Sequence, residues 1–274
     1  MSEFGTWNAV PVIRWRDGRS ESVLDDVAAE VPVALEYNGI SHAVMLATPA
    51  DLEDFALGFS LTEGILQSPS ELYGCELVGD SNGIRVIMDI SSERMFALKE
   101  RRRTLAGRTG CGLCGTETLP QAIRIPPPVN SRASFSADVL HAGFTQMESL
   151  QSLQKVTGAT HAAAWLAADG KVTLLREDIG RHNALDKLIG ALHRTKTDIA
   201  TGAAIVTSRA SYEMVQKAAS AGIGILAAVS APTALAIRLA EQTGVSLAGF
   251  VRAHSHVVYA NPEKLFEQKS SEKT

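Results

Sequence analysis

The sequence has little of several things, and each shortage narrows what the protein can be. It holds three cysteines in 274 residues, an odd and low count that cannot build a disulfide framework. Such usage fits a reducing cytoplasm, where a close cysteine pair serves redox, metal or sulfur chemistry more often than structural bridging. There is no excess of positive charge: 26 Lys and Arg against 30 Asp and Glu leave a formal net charge of -4. That balance argues against general binding to nucleic acid or to a membrane, so any anion site must be local. No apolar run approaches the roughly 18–20 residues of a membrane span. The opening MSEFGTWNAVPVIRWRDGRS has no continuous apolar block after a basic start, which predicts that it is not a signal peptide. Internal repeats and low-complexity segments are also missing. What remains is a globular composition, 45% hydrophobic, 20% charged and 5% aromatic, long enough for one large or two ordinary domains.

Residues 1–30 read as an irregular arm with a short strand near Val10–Trp15. Val31–Tyr37 alternates apolar and polar positions, Asn38-Gly39 is a hairpin signal, and Ile40–Ala47 returns as a second strand. Thr48-Pro49 predicts a helix start, with Thr48 as N-cap, running to Glu63-Gly64. Strands follow near Leu72–Val78 and Gly83–Asp89, then a basic segment, Lys99–Arg103, and a glycine-rich arm. Three prolines, Pro126–Pro128, mark the expected boundary, placing an N-terminal α+β subdomain over 1–130. After it the pattern predicts a long helix over Ala137–Thr157 and a hairpin of Thr160–Ala167 with Val172–Glu177. Helices over Gly180–His193, Ser211–Ala221 and Pro232–Gln242 then alternate with strands Ala203–Thr207, Ile225–Val229, Ser246–Val251 and His256–Ala260. That alternation predicts an α/β domain over 131–265, a three-layer α/β/α sandwich with a mixed sheet. A polar, disordered tail is expected over 266–274.

The sharpest chemical signal is Gly110-Cys111-Gly112-Leu113-Cys114-Gly115. Two thiols stand three positions apart among glycines, with Arg108 and the Lys99–Arg103 segment upstream to favour thiolate. Three readings stay open. A structural zinc needs four ligands, and only Cys75 is left among the cysteines. A thioredoxin-like pair needs a helix start, which the glycines oppose. The favoured reading is sulfur or persulfide handling, one thiol carrying the group and the other able to displace it.

A second cluster, Arg176–Lys187 (REDIGRHNALDK), falls at a strand-to-helix junction, where open α/β sheets bind ligands and helix N-termini favour anions. Its candidates are Arg181 and His182; plain capping by Asp178 and solvated charges are the alternative. Thr207-Ser208-Arg209-Ala210-Ser211 follows the next strand in the same position, making Ser208 and Arg209 candidates for phosphate contact. Ser230–Thr233 is the equivalent turn one strand later, with Pro232 at a first helical position. Gly249–Ser255 joins the last two strands and brings Arg252 and His254. Together these loops predict a basic, hydroxyl-lined crevice for a phosphorylated small molecule.

The GCGLCG arm, the REDIGRHNALDK run, TSRASYEMVQKAA, SAPTALAIRLAE, GFVRAHSHVVY and the N-terminal LATPADLEDFALGFSLTEGI resemble the formate dehydrogenase accessory sulfurtransferase (FdhD) family, from about Val31 to Leu265. The resemblance implies a cytidine deaminase-like core and a cytoplasmic sulfur carrier. A cysteine desulfurase would load a persulfide on Cys111, with Cys114 as its partner. The sulfur would pass to the bis-molybdopterin guanine dinucleotide molybdenum cofactor (Mo-bisMGD) before that cofactor enters the formate dehydrogenase apoenzyme. Phe250, Val251, Arg252, Ala253, His254 and Ser255 match the family's cofactor-contacting segment. A homodimer is also implied, with no permanently bound metal, no nucleic-acid partner and no membrane partner. Deaminase chemistry is not expected, because no His-x-Glu motif is paired with Pro-Cys-x-x-Cys. The rival readings are a cofactor-binding chaperone without sulfur transfer and a thiol–disulfide oxidoreductase.

Overall fold

The computed structural model describes residues 4–106 and 124–266. Its first element corrects the expected irregular arm. β1 (Trp7–Arg16) and β2 (Arg19–Ala28) form a hairpin in full register. Asp17 and Gly18 turn it with φ of 52° and 75°, the pair of positive values that a two-residue hairpin turn requires.

β3 (Val31–Tyr37) and β4 (Ile40–Ala47) form as the alternation predicts. They join β5 (Leu72–Asp80) and β6 (Gly83–Ile90) in a four-stranded sheet of order β4-β3-β6-β5. Val33, Leu35, Tyr37, Val86 and Met88 face inward from it and pack on Phe55 and Ala56 of α1 (Leu52–Thr62). Thr48 is not the cap of that helix, which begins three residues later than expected, after Asp51. The basic segment is helical too, the end of α2 (Ser92–Ala106).

The larger sheet has the order β13-β12-β11-β10-β8-β9. Its strands are β8 (His161–Leu166), β9 (Val172–Asp178), β10 (Ala203–Val206), β11 (Ile225–Ala228), β12 (Ser246–Arg252) and β13 (Ser255–Ala260). β10, β11 and β12 run parallel and the other pairings are antiparallel. Alternate residues serve opposite faces, as pleating demands. Ala163, Trp165, Ala204, Val206, Leu226 and Leu247 pack under α5 (Arg181–Arg194), α6 (Tyr212–Ser220) and α7 (Ala234–Thr243). Ala162, Ala164, Ile205, Ile225 and Ala248 pack under α3 (Ala137–Leu150). The result is three layers with apolar strands covered on both sides.

Three local boundaries differ from the sequence reading. The long helix over 137–157 is broken at Gln151 (φ -70°, ψ 87°), leaving α4 (Ser152–Thr157) as a separate short helix. Pro232 precedes α7 rather than opening it; Thr233 is the N-cap, its hydroxyl accepting from Ala236 N at 3.3 Å. Phe266 is not tail: β14 (Leu265–Phe266) pairs in parallel with β7 (Phe135–Ser136). The rest of the expected tail, 267–274, lies outside the described residues.

The two sheets meet through helices. α1 and α5 cross at Gly58 and Gly190, where a methyl on either glycine would overlap the backbone of the other helix. Helix axes come this close only where side chains are missing at the crossing.

Candidate functional site

The strand directions bring the chemically dense loops to one end of the large sheet. There β9 ends at Asp178, β10 at Val206, β11 at Ala228 and β12 at Arg252, while β8 begins at His161. The turns after β10 and β11 are laced together: Ala210 N donates to Ala231 O, and Thr233 N to Ala210 O, both at 3.2 Å. Such an edge, outside the carboxyl ends of parallel strands, is where open α/β sheets leave room for a ligand.

A cavity of about 720 Å³ opens at this end, between α3, α4 and the strand termini. Phe144, Met147, Val229 and Val251 supply apolar lining. Gln151, Gln154, Thr160, His161, Thr207 and Arg252 supply polar groups. Small-molecule sites are built this way, mostly apolar with a few placed polar groups, in volumes of roughly 300–1,000 Å³. Arg252 is held by its own strand end and by the residue after β11, Nη1 donating to Val251 O at 2.8 Å and to Val229 O at 2.5 Å. Thr207 Oγ1 accepts from Ala162 N at 2.9 Å, tying β10 to β8 at the cavity edge. Burial, and then the nearby Arg181 guanidinium, hold the His161 imidazole below its ordinary pKa, so it faces the cavity as a neutral group.

The candidate residues divide across this end. Val251, Arg252 and Ala253 line the cavity. Phe250, His254 and Ser255 stand exposed outside its lining, and Phe250 has a φ of 52°. Arg181 and His182 open α5. His182 Nε2 lies 2.8 Å from Glu213 Oε2 on α6, near enough for ion pairing but poorly aligned for a hydrogen bond. Burial keeps His182 below the ordinary histidine pKa, against the pull of Glu213. Arg181 Nε and Ser211 Oγ are buried without a partner among the described residues. Ser208 is buried and its hydroxyl donates to Arg209 O at 3.0 Å, while Arg209 is exposed on the rim. Cys111 and Cys114 lie outside the described residues.

Most of the Arg176–Lys187 run is structural. Lys187 Nζ stands 2.7 Å from Asp178 Oδ2 with both side chains fully buried, and donates to Thr48 O at 2.9 Å. Asp178 also accepts from Thr48 N, Gly180 N and Asn183 Nδ2 at 2.8–3.0 Å. Asp186 pairs with Lys217 at 2.9 Å and accepts from Thr62 Oγ1 at 2.7 Å. Arg176 and Arg194 both grip Asp54 of α1. Glu177 caps α4 from a distance, accepting from Leu153 N at 2.9 Å and Gln154 N at 2.7 Å. The charge density that suggested a ligand site mainly fastens the N-terminal sheet to the C-terminal one.

Cys75 sits in β5 against the N-terminal core, where burial pushes its thiol up to about 11. Among the described residues no group of three or more His, Cys, Asp or Glu is placed to hold a metal, and no helix is long and apolar enough to cross a membrane.

Sequence reasoning missed His161, Thr160 and the whole α3–α4 wall with Glu148, Gln151 and Gln154. Only a helix break at Gln151 would have exposed that wall, and no glycine or proline marks it.

Comparison with known proteins gives a consistent pattern. The model of the FdhD/NarQ family matches residues 28–266. The chain is 63% identical, over 97% of its length and 92% of the relative's, to the sulfur carrier protein FdhD of Cupriavidus necator. It is 60% identical to the protein of that name from Bordetella petrii, over 88% of this chain and 87% of that one. Its fold is similar to the crystal structure of a candidate formate dehydrogenase accessory protein from Desulfotalea psychrophila. That match has a TM-score of 0.76 at 21% identity and covers 96% of this chain and 100% of the other.

Proposed function

The chain belongs to the FdhD/NarQ family, and from that premise we propose that it is a sulfur carrier working through a persulfide on Cys111. In the loading step the Cys111 thiolate attacks the outer sulfur of a cysteine desulfurase persulfide. The sulfur–sulfur bond of the donor breaks, Cys111 gains the outer sulfur, and the donor leaves as thiolate. Arg108 and the Lys99–Arg103 segment favour the attacking thiolate by their charge.

Release has two balanced routes. An acceptor can take the outer sulfur and leave the Cys111 thiolate. Alternatively Cys114 attacks the inner sulfur, expelling hydrosulfide and leaving a disulfide that a two-electron reductant must reopen. The acceptor is Mo-bisMGD, destined for a formate dehydrogenase. Its phosphates suit Arg252, and the cavity of about 720 Å³ has the volume of a small-molecule site, which supports seating one guanine nucleotide arm there. Of the matched segment, Val251, Arg252 and Ala253 make the contact; Phe250, His254 and Ser255 lie beside it on the exposed turn.

The single observation that carries this reading is 63% identity, over 97% of the chain, to a protein named for sulfur carriage. The test is incubation with cysteine and a desulfurase, followed by mass spectrometry. The wild type gains one sulfur, about 32 Da, on Cys111, and Cys111→Ala gains none and fails to mature formate dehydrogenase. Normal maturation by Cys111→Ala would overturn the proposal. Cofactor binding with no sulfur ever on the protein would favour a chaperone instead.

A further inference from the structure

Gln151 stands where α3 gives way to α4, is 7% exposed, and lines the cavity. Glutamine is rarely buried this deeply unless its amide is hydrogen-bonded. A residue at the start of a helix ordinarily turns its side chain onto the first free backbone N–H groups. Here that work is taken over by Glu177, which accepts from Leu153 N, Gln154 N and Ser152 Oγ. Gln151 makes no side-chain cap bond, and its amide has no partner among the described residues. The neighbouring Gln154 differs, since its Oε1 accepts from Thr160 N at 2.8 Å. One amide in this wall is therefore committed to the fold; the other belongs to a residue only 7% exposed that lines the cavity, and the fold does not use it.

An amide presents a donor beside an acceptor, the pattern that pairs two-pronged with the edge of a purine. Phe144, Met147, Val229 and Val251 give the same cavity apolar surface for a flat ring. Glu148, three residues earlier on the last turn of α3, lines it with acceptors only. Guanine carries a carbonyl, a ring N–H and a 2-amino group along one edge. The first two match an amide, and the third is a donor suited to a carboxylate. We infer that Gln151 is a specificity-determining residue that reads the base of a guanine nucleotide arm held in the cavity. Its Nε2 donates to the ring carbonyl, its Oε1 accepts from the ring N–H, and Glu148 accepts from the 2-amino group. This rests on the cofactor-binding reading above.

The probe is guanosine diphosphate, titrated calorimetrically against the full-length protein, with inosine and adenosine diphosphates for comparison. The wild type is expected to bind the guanine form most tightly, the inosine form less and the adenine form least. Gln151→Leu should weaken guanosine diphosphate at least tenfold and bring it to the level of adenosine diphosphate. Gln151→Glu, which sets a carboxylate against the carbonyl, should weaken it as much. If neither variant folds, the side-chain amide signal of Gln151 in the unaltered protein decides by NMR, and it should move on titration with guanosine diphosphate. Wild-type binding with unchanged affinity in a folded variant, or an amide signal that stays put, overturns this inference and leaves the cofactor reading standing. A wild type that binds none of the three nucleotides overturns both.

Discussion

Lys187 Nζ lies 2.7 Å from Asp178 Oδ2, and neither side chain reaches solvent. Burial pushes the Lys187 ammonium below its ordinary pKa, and the Asp178 carboxylate beside it pulls the other way. Thr48 supplies further partners from the N-terminal half, its carbonyl to Lys187 and its amide to Asp178. Removing one partner leaves a buried charge unanswered, which costs about 3–5 kcal/mol. Lys187→Met should lose that much in denaturant unfolding, and adding Asp178→Asn should recover part of it. Loss of persulfide loading in the folded fraction, with stability unchanged, would instead place Lys187 in the chemistry.

The crossing of α1 and α5 offers a second test. A methyl on Gly58 meets the Asp186 carbonyl, and one on Gly190 meets the Asp54 carbonyl. Backbone cannot yield as a flexible side chain can, so each Ala variant should lose at least about 1–3 kcal/mol. The loss should exceed that of Gly79→Ala, whose new methyl would meet only the Phe4 ring at 3.5 Å, an ordinary van der Waals contact. Equal melting temperatures for Gly58→Ala and the wild type would refute the close crossing.

Acid should destabilise the fold. Burial holds His141, His161, His182, His193 and His256 below the ordinary histidine pKa, whereas the unfolded chain titrates near about 6.5. Below that pH the unfolded state binds more protons than the native one, so unfolding free energy falls as pH falls through about 6.5 toward the depressed native values. His141 Nε2 and His256 Nδ1 are 3.0 Å apart, which needs a lone pair on one ring. Asp138 favours protonation of His141, while His254 opposes it. The urea midpoint should therefore drop between pH values of about 7.5 and 5.5, and drop less in His256→Gln. A midpoint that rises on acidification would contradict this assignment.

Cys75 should be chemically quiet. With its thiol pushed up to about 11, little thiolate exists near neutrality, and the thiolate is the reactive form. Cys75→Ala should load persulfide like the wild type, and mapping of alkylated thiols should find Cys75 the slowest to react. Sulfur found on Cys75 after incubation with a desulfurase would show this to be wrong.

Local pattern reached far into this protein. Period-2 alternation placed β3 and β4 to the residue, and the strand–helix alternation after Pro128 yielded the three-layer mixed sheet, because those signals lie in neighbouring residues. Asp17-Gly18 shows a local signal overlooked: the turn was written in the sequence, and β1 and β2 followed from it. The break at Gln151 is different in kind. The helix after it gives its first free amides to Glu177, a carboxylate 23 and 24 residues away along the chain from Gln154 and Leu153, and nothing near Gln151 announces that partner.

The sequence by itself determined most of the elements of the two main sheets, which faces of them are apolar, and where two thiols stand three positions apart among glycines. It could not apportion charge between fold and function. Arg176, Asp178, Asp186 and Lys187 look like a ligand cluster when read in a line. Only the folded chain sets them against Asp54, Thr48 and Thr62 from more than a hundred residues earlier, where burial makes each charge a structural necessity. The same folding leaves the side-chain amide of one buried residue, Gln151, without a partner among the described residues. Pairing across such distances depends on how helices cross and sheets stack, and that is decided in three dimensions.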